Sequence, residues 1–200
     1  MDCTGSISTI PLDVTKLNID MASFSAHKIG ALKGTGVFYK REDVEITPLI
    51  FGSQERGLFA GTENLLGILS LGKAIDLLDY RKTSHNRDFV WNKIKNIDNV
   101  RLVGVAPEKN RLINNLYLHV KDIRGSDLVT LMDDLYKIQI STGSACNNGS
   151  PIPSSTLLAI GMIEEDANRC VRISFGGDET KEELEEFCED FKTCVHILRN

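Results

Sequence analysis

Ser25-Ala26-His27-Lys28 puts a hydroxyl, an imidazole and a primary amine within four residues, and Lys33-Gly34-Thr35-Gly36 follows closely. An amine can form a Schiff base with an aldehyde, while hydroxyl and imidazole groups suit a phosphate. Glycines in the turn let backbone approach a bound group. Pyridoxal phosphate carries both functions, which makes Lys28 a candidate for holding it. On the local pattern alone, Lys28 serves equally as one of 23 basic residues facing solvent.

A second reactive candidate is Cys146. It lies in Ser141-Thr142-Gly143-Ser144-Ala145-Cys146-Asn147-Asn148-Gly149-Ser150-Pro151, a small, polar run without a period of 2 or 3.6 that would bury a side chain. An exposed thiol with an ordinary pKa of about 8.5 is partly thiolate at neutral pH, and a nearby cation or helix N-terminus raises that fraction. A chance surface cysteine has the same local pattern. Arg172 is the third candidate, because it projects from an alternating strand opposite Val171, Ile173 and Phe175. It could clamp a carboxylate with two parallel hydrogen bonds, or form a surface ion pair.

The elements that position these groups follow from periodicity. The run 19–24 reads as a strand leading to Lys28, and Val37-Phe38-Tyr39 as a second strand after the glycine turn. Helical spacing joins Leu65, Leu66, Ile68, Leu69, Leu71, Ile75 and Leu78. The polar stretch 81–87 reads as a connection, followed by a helix near Trp91 and a strand from Asn115 with Leu116, Leu118 and Val120 alternating. A helix over 126–136 precedes a short strand over 138–140, and the cysteine loop comes next. Thr180 and Glu183 form a capping-box pattern before a last helix whose apolar stripe includes Leu184, Phe187, Cys188, Phe191, Cys194, Val195 and Leu198. The acidic run 182–186 is its solvated face.

Composition narrows the function classes. A chain of 200 residues with 42% hydrophobic content can bury a core, and a net charge of −5 offers no general attraction to nucleic acid or anionic membranes. No apolar run reaches the roughly 18 residues of a membrane span, and no basic segment followed by an apolar stretch opens the chain. A soluble cytoplasmic protein is expected. Five cysteines, an odd number without C-x-x-C or Cys/His zinc spacing, indicate neither a disulfide framework nor a metal site. Cys170, Cys188 and Cys194 read as core residues. His85, His119 and His196 have no partner at metal or triad spacing, and Trp91 reads as packing.

Taken together, the order and spacing of these motifs resemble the class V aminotransferases and, within them, cysteine desulfurases of the NifS/IscS type. Ser25-Ala26-His27-Lys28 resembles the cofactor-lysine motif, Gln54-Glu55-Arg56-Gly57 with Ala60-Gly61-Thr62 the following loop, Ser141 to Cys146 the cysteine loop, and Cys170-Val171-Arg172-Ile173-Ser174 the strand of the substrate-carboxylate arginine. The resemblance implies an α/β fold, the C-terminal part of a pyridoxal phosphate type I fold. Residues 1–82 would end the large, mostly parallel-sheet domain, and residues 83–200 would form the small α+β domain. Lys28 would bind pyridoxal 5'-phosphate, with Asp2 on its ring nitrogen, Ser25 and His27 on its phosphate, and Thr62 reaching the phosphate of the other subunit in a homodimer. Arg172 would grip the carboxylate of L-cysteine, and Cys146 would take its sulfur as a persulfide for an acceptor or scaffold protein.

Two positions depart from the family pattern. Gly5 stands where a glutamine is expected, and Ala31-Leu32 where a glycine-proline pair precedes the turn. The resemblance also leaves the family's first half, with its phosphate loop and ring-stacking histidine, unmatched, so a truncated or split product is expected. A non-catalytic remnant that serves as an interaction module, and a related enzyme such as a selenocysteine lyase, are the alternative readings.

Overall fold

The computed structural model describes residues 1–107, 109–143 and 153–200. The chain is mixed α/β, as expected, and divides into two compact units, Met1–Tyr80 and Arg81–Asn200.

In the first unit, β1 (Met21–Ser25) pairs antiparallel with β2 (Gly36–Lys40), Met21 opposite Lys40 and Ser25 opposite Gly36. On the other side of β1 a single parallel bridge joins Asp2 to Ser23. The chain leaves β1 through one 3₁₀ turn, Ala26–Ile29. Gly30 ends that turn at φ 88°, a left-handed conformation that a residue without Cβ adopts freely. The leucine-rich helix α1 spans Leu65–Asp76 and is capped by the Asn64 side chain, which accepts from the Gly67 N–H at 3.1 Å. A small cluster of Cys3, Ile19 and Ala22 is buried behind β1.

The second unit is built on a three-stranded antiparallel sheet in the order β3 (Val100–Leu102), β4 (Asn115–Val120), β5 (Cys170–Ser174). One face carries Leu116, Leu118, Val120, Val171 and Ile173 into a core shared with α2 (Tyr80–Ile94), α3 (Gly125–Tyr136) and α6 (Lys181–Ile197). Fully burying each such side chain contributes about 1.5–3 kcal/mol. A smaller cluster on Cys170 takes in Leu157 of α4 (Ser155–Ala159) and Ala167 of α5 (Glu164–Ala167). Gly125 starts α3 with its N–H donating to the Asn168 carbonyl at 2.8 Å, and a Cβ there would lie 2.3 Å from the Cys170 carbonyl oxygen. Only glycine fits that crossing. The capping box of α6 forms as expected, Thr180 accepting from the Glu183 N–H and Glu183 from the Thr180 N–H.

Two local expectations are corrected. Residues 81–87 are not a connection but the first two turns of α2, whose buried stripe is Thr83, Asn86, Arg87, Val90 and Ile94. The stripe has helical spacing, yet its first half is polar. Arg87 is satisfied inside by the Leu112 carbonyl at 2.9 Å and by Asp88, and Asn86 donates to Glu179 at 2.8 Å. Residues 138–140 do not form a strand either. The Ile138 N–H closes the end of α3 on the Met132 carbonyl, so pairing with β5 begins only at Ser141.

Candidate functional site

In the first unit, β1 and its 3₁₀ turn bring Ser25, His27 and Lys28 together at the strand end, with buried Ala26 between the first two. His27 and Lys28 are exposed, and the Lys28 amine forms no hydrogen bond or ion pair among the described residues. The glycine turn is tied in from both sides. The Ala26 N–H donates to the Thr35 carbonyl at 3.0 Å, and the Thr35 hydroxyl accepts from Asn64 at 3.1 Å. Asn64 thereby links the turn to the N-terminus of α1.

Asp2 and Ser25 share a pocket of about 400 Å³, with Thr4, Ser23, Gly36 and Phe38 among its walls. The Thr4 hydroxyl and its backbone N–H, the latter at 2.8 Å, hold the Asp2 carboxyl below its ordinary range. Asp2 therefore presents a full negative charge at neutral pH. Thr62 is exposed on the loop two residues before the Asn64 cap, outside this pocket.

In the second unit, Arg172 sits in mid-β5 opposite Tyr117 of β4. Its backbone pairs with Ser141 through both hydrogen bonds, the Arg172 N–H to the Ser141 carbonyl at 2.5 Å and the reverse at 3.1 Å. The Arg172 Nε is buried and has no hydrogen-bond partner among the described residues. A guanidinium N–H in that state is a donor left open, as is the buried Nη2 of Arg199. Next to it, the Tyr117 hydroxyl donates to the Thr142 carbonyl at 2.8 Å, and burial pushes that phenol's pKa up. The Ser141 hydroxyl donates to the Gly143 carbonyl at 2.7 Å. Cys146 lies outside the described residues, three positions beyond Gly143.

The other four cysteines are buried. Burial pushes the Cys170 thiol up to about 12 and the Cys188 thiol up to about 11, and raises Cys194 as well. Such thiols stay protonated and packed. His119, on the sheet face opposite Leu118, is not solvated but enclosed. Its Nδ1 accepts from Arg101 at 3.1 Å, and its Nε2 meets Asp166 at 3.2 Å. Among the described residues no group of three or more His, Cys, Asp or Glu is placed to hold a metal, and no helix is long and apolar enough to cross a membrane.

Tyr117 and Asn64 were not singled out by sequence. For Tyr117 the signal was available, since the alternation that sends Leu116 and Leu118 inward sends Tyr117 to the face of Arg172. For Asn64, only its place just before an apolar helical run marked it as a cap.

The family model described as aminotransferase class-V matches residues 1–187, and the chain belongs to that family. It is similar to cysteine desulfurase IscS of Dictyoglomus turgidum, 36% identical over 206 residues covering 99% of this chain and 52% of that protein. It is likewise similar to cysteine desulfurase IscS of Methanosarcina thermophila, 37% identical over 206 residues covering 100% and 50%. Among solved structures, a NifS-like protein superposes with a TM-score of 0.80 at 31% identity over 98% of this chain and 52% of its own. The structure described as SspA in complex with cysteine has a TM-score of 0.69 at 32% identity, covering 90% and 50%. The chain thus spans about half the length of the curated relatives it matches.

Proposed function

We propose that this chain supplies the lysine, the substrate arginine and the sulfur-accepting cysteine of a pyridoxal phosphate-dependent cysteine desulfurase that converts L-cysteine to L-alanine. The observation that carries this reading is the pairing of Ser141 with Arg172. It starts the segment containing Cys146 backbone to backbone with an arginine whose buried Nε has no partner among the described residues. Family membership, the names of the relatives and the cysteine complex of the SspA structure support it.

The residues on this chain fit part of a site for the cofactor. A free lysine amine suits its aldehyde, the Ser25 hydroxyl and the His27 imidazole suit its phosphate, and the Asp2 carboxylate, kept ionised by Thr4, suits its ring nitrogen. Thr62 would serve the phosphate of the second subunit in a homodimer. When bound, the cofactor supplies an electron sink for bonds at the substrate's α-carbon.

The chain's own groups do the rest. Arg172 holds the substrate carboxylate with charge-assisted hydrogen bonds and so fixes the orientation of the sulfur. Lys28, as a free amine, would move protons at the α-carbon. The Cys146 thiolate attacks the substrate sulfur, an S–S bond forms as the carbon–sulfur bond breaks, and the carbon product takes up a proton to give alanine. The burial of Cys3, Cys170, Cys188 and Cys194 leaves Cys146 as the thiol for this step. An acceptor protein then receives the sulfur, in keeping with a cytoplasmic enzyme of iron–sulfur cluster assembly.

The test is made on the assembled enzyme. Cys146→Ser abolishes the persulfide found by mass spectrometry, and Lys28→Ala abolishes visible absorbance of the bound cofactor. Unchanged sulfur transfer in Cys146→Ser would remove the assigned nucleophile, unchanged absorbance in Lys28→Ala would remove the assigned cofactor lysine, and an assembled protein with no cofactor absorbance at all would favour a non-catalytic remnant. On the chain alone, Cys146 reacts with iodoacetamide at least tenfold faster than the four buried cysteines.

A further inference from the structure

Tyr117 stands where the two ends of the cysteine segment meet. Its neighbours Leu116 and Leu118 enter the core of the second unit, so its ring lies on the opposite face of β4, directly across from Arg172 of β5. There the ring packs half-buried against the cluster of Val103, Leu157, Ala167 and Cys170. A phenol hydroxyl has one proton to donate and lone pairs with which to accept, and both functions are used. It donates to the Thr142 carbonyl at 2.8 Å, and it accepts a hydrogen bond from the Ser154 side chain.

Each end is fixed by further contacts. At the first, Ser141 pairs with the Arg172 backbone, while its hydroxyl donates to the Gly143 carbonyl at 2.7 Å and accepts from the Gly143 N–H at 3.1 Å. At the second, Ser154 occupies the N-cap position of α4, where a serine ordinarily accepts from the helix's own N–H groups, yet its side chain makes no capping bond. It serves the phenol instead. Leu157, in the first turn of α4, is fully buried. A Cβ on Gly143 would lie 3.5 Å from both the Tyr117 oxygen and the Ser154 Cβ. The two ends are therefore in contact, and residues 144–153, Cys146 among them, come between them in the chain.

We infer that Tyr117 is a positioning residue for sulfur transfer, whose hydroxyl holds both ends of the cysteine segment, at Thr142 and Ser154, on the sheet face that carries Arg172. Tyr117 has this role only if Arg172 and Cys146 act as proposed above. Arg172 orients the substrate through its carboxylate, whereas Tyr117 sets where the chain bearing the attacking thiol leaves and rejoins the fold. Removing the one hydroxyl keeps the ring, its packing and the arginine, but frees an anchor at each end. A segment whose ends are held together samples fewer arrangements than one whose ends drift apart. Reacting atoms must come within about 3–3.5 Å of each other in the productive geometry. Tyr117 therefore bears on turnover and not on substrate capture.

The test compares variants of the assembled enzyme acting on L-cysteine. Tyr117→Phe is expected to lower kcat about tenfold to a hundredfold, with KM for L-cysteine and cofactor absorbance unchanged. Ser154→Ala, which removes one of the two bonds, lowers kcat by less with the same constant KM. Tyr136→Phe, which takes a phenol hydroxyl from α3 of the same unit, changes neither constant. In the chain alone, Tyr117→Phe keeps the circular dichroism and speeds hydrogen exchange about tenfold across 142–143 and 155–159, but not in β4. Unchanged kcat, a KM that rises while kcat holds, or unchanged exchange at both ends would each overturn the inference and leave Cys146 as the nucleophile. Where Tyr117→Phe loses its circular dichroism, Ser154→Ala decides by the same split of kcat from KM. An unaltered enzyme that forms no persulfide on Cys146 would overturn the functional reading, and the role of Tyr117 with it.

Discussion

The two units spend the same kinds of residue differently. The second sets leucines, valines and phenylalanines from three strands and three helices against one another, with Leu116, Leu118, Leu128 and Phe191 fully buried. The first is no poorer in large apolar residues for its length, but buries Cys3, Ile19 and Ala22 and leaves Leu65, Leu66 and Leu69 of α1 in water. Hydrophobic content therefore does not measure self-sufficiency. What decides it is how many apolar positions on different elements face each other within the chain, and the second unit has far more of them than the small cluster of the first.

Substitutions that remove buried volume should break this contrast most sharply if it is wrong. Phe191→Ala is expected to cost about 3–5 kcal/mol by urea denaturation, while Leu69→Ala in the isolated chain stays within about 0.5 kcal/mol. Comparable losses at both positions would mean that α1 is already packed. Gly125→Ala should cost about 1–3 kcal/mol by the same measurement, because its Cβ meets backbone that cannot move aside. The two helix caps sharpen the comparison with matched chemistry. Thr180→Ala and Asn64→Ala each remove about 1 kcal/mol. The first should lower the stability of the whole second unit, whereas the second should speed hydrogen exchange only in residues 65–76 and the turn that Asn64 ties down.

The smallest effect is expected with pH. Burial, then the charge of Arg101, lowers the His119 pKa, against the opposing hydrogen bond and charge of Asp166; Arg169 also faces it. Arg101 donates to Nδ1, so the proton of the neutral ring sits on Nε2 towards Asp166. The folded pKa lies below the unfolded value of about 6.5, so the unfolded chain binds more protons in that range. Stability present at pH 7 is lost as pH falls below about 6.5, and His119→Gln should flatten that slope. Glu179 acts lower down. Burial pushes its pKa up, but hydrogen bonds from Asn86, Gly176 and Gly177 hold it below the ordinary value, so its contribution disappears only under more acid conditions.

Much of the fold was legible because apolar periodicity and caps are local signals. α1, α3 and α6 and strands β1, β2, β4 and β5 fall where the pattern puts them. The start of α2 was hidden because its inward residues are Thr83, Asn86 and Arg87, whose burial depends on partners such as Leu112 and Glu179 that lie far along the chain. The absence of a strand at 138–140 had a similar cause, since the Ile138 N–H is claimed by the end of α3. Within the candidate site, residue types and spacing marked Lys28, Ser25 and Arg172, but they could not show that Thr4 keeps Asp2 ionised or that Arg172 pairs with the start of the cysteine segment. Those are facts of three-dimensional neighbourhood.

Trp91, the only tryptophan, lies on α2 and packs half-buried against the core of the second unit. Selectively excited indole emission therefore watches one unit and is blind to the other. A sigmoidal fluorescence melt of this chain would look complete and still say nothing about α1 or Lys28. An optical probe for that half has to be introduced, and exposed Phe38 on β2, beside the pocket of Asp2 and Ser25, is a natural place for a second indole.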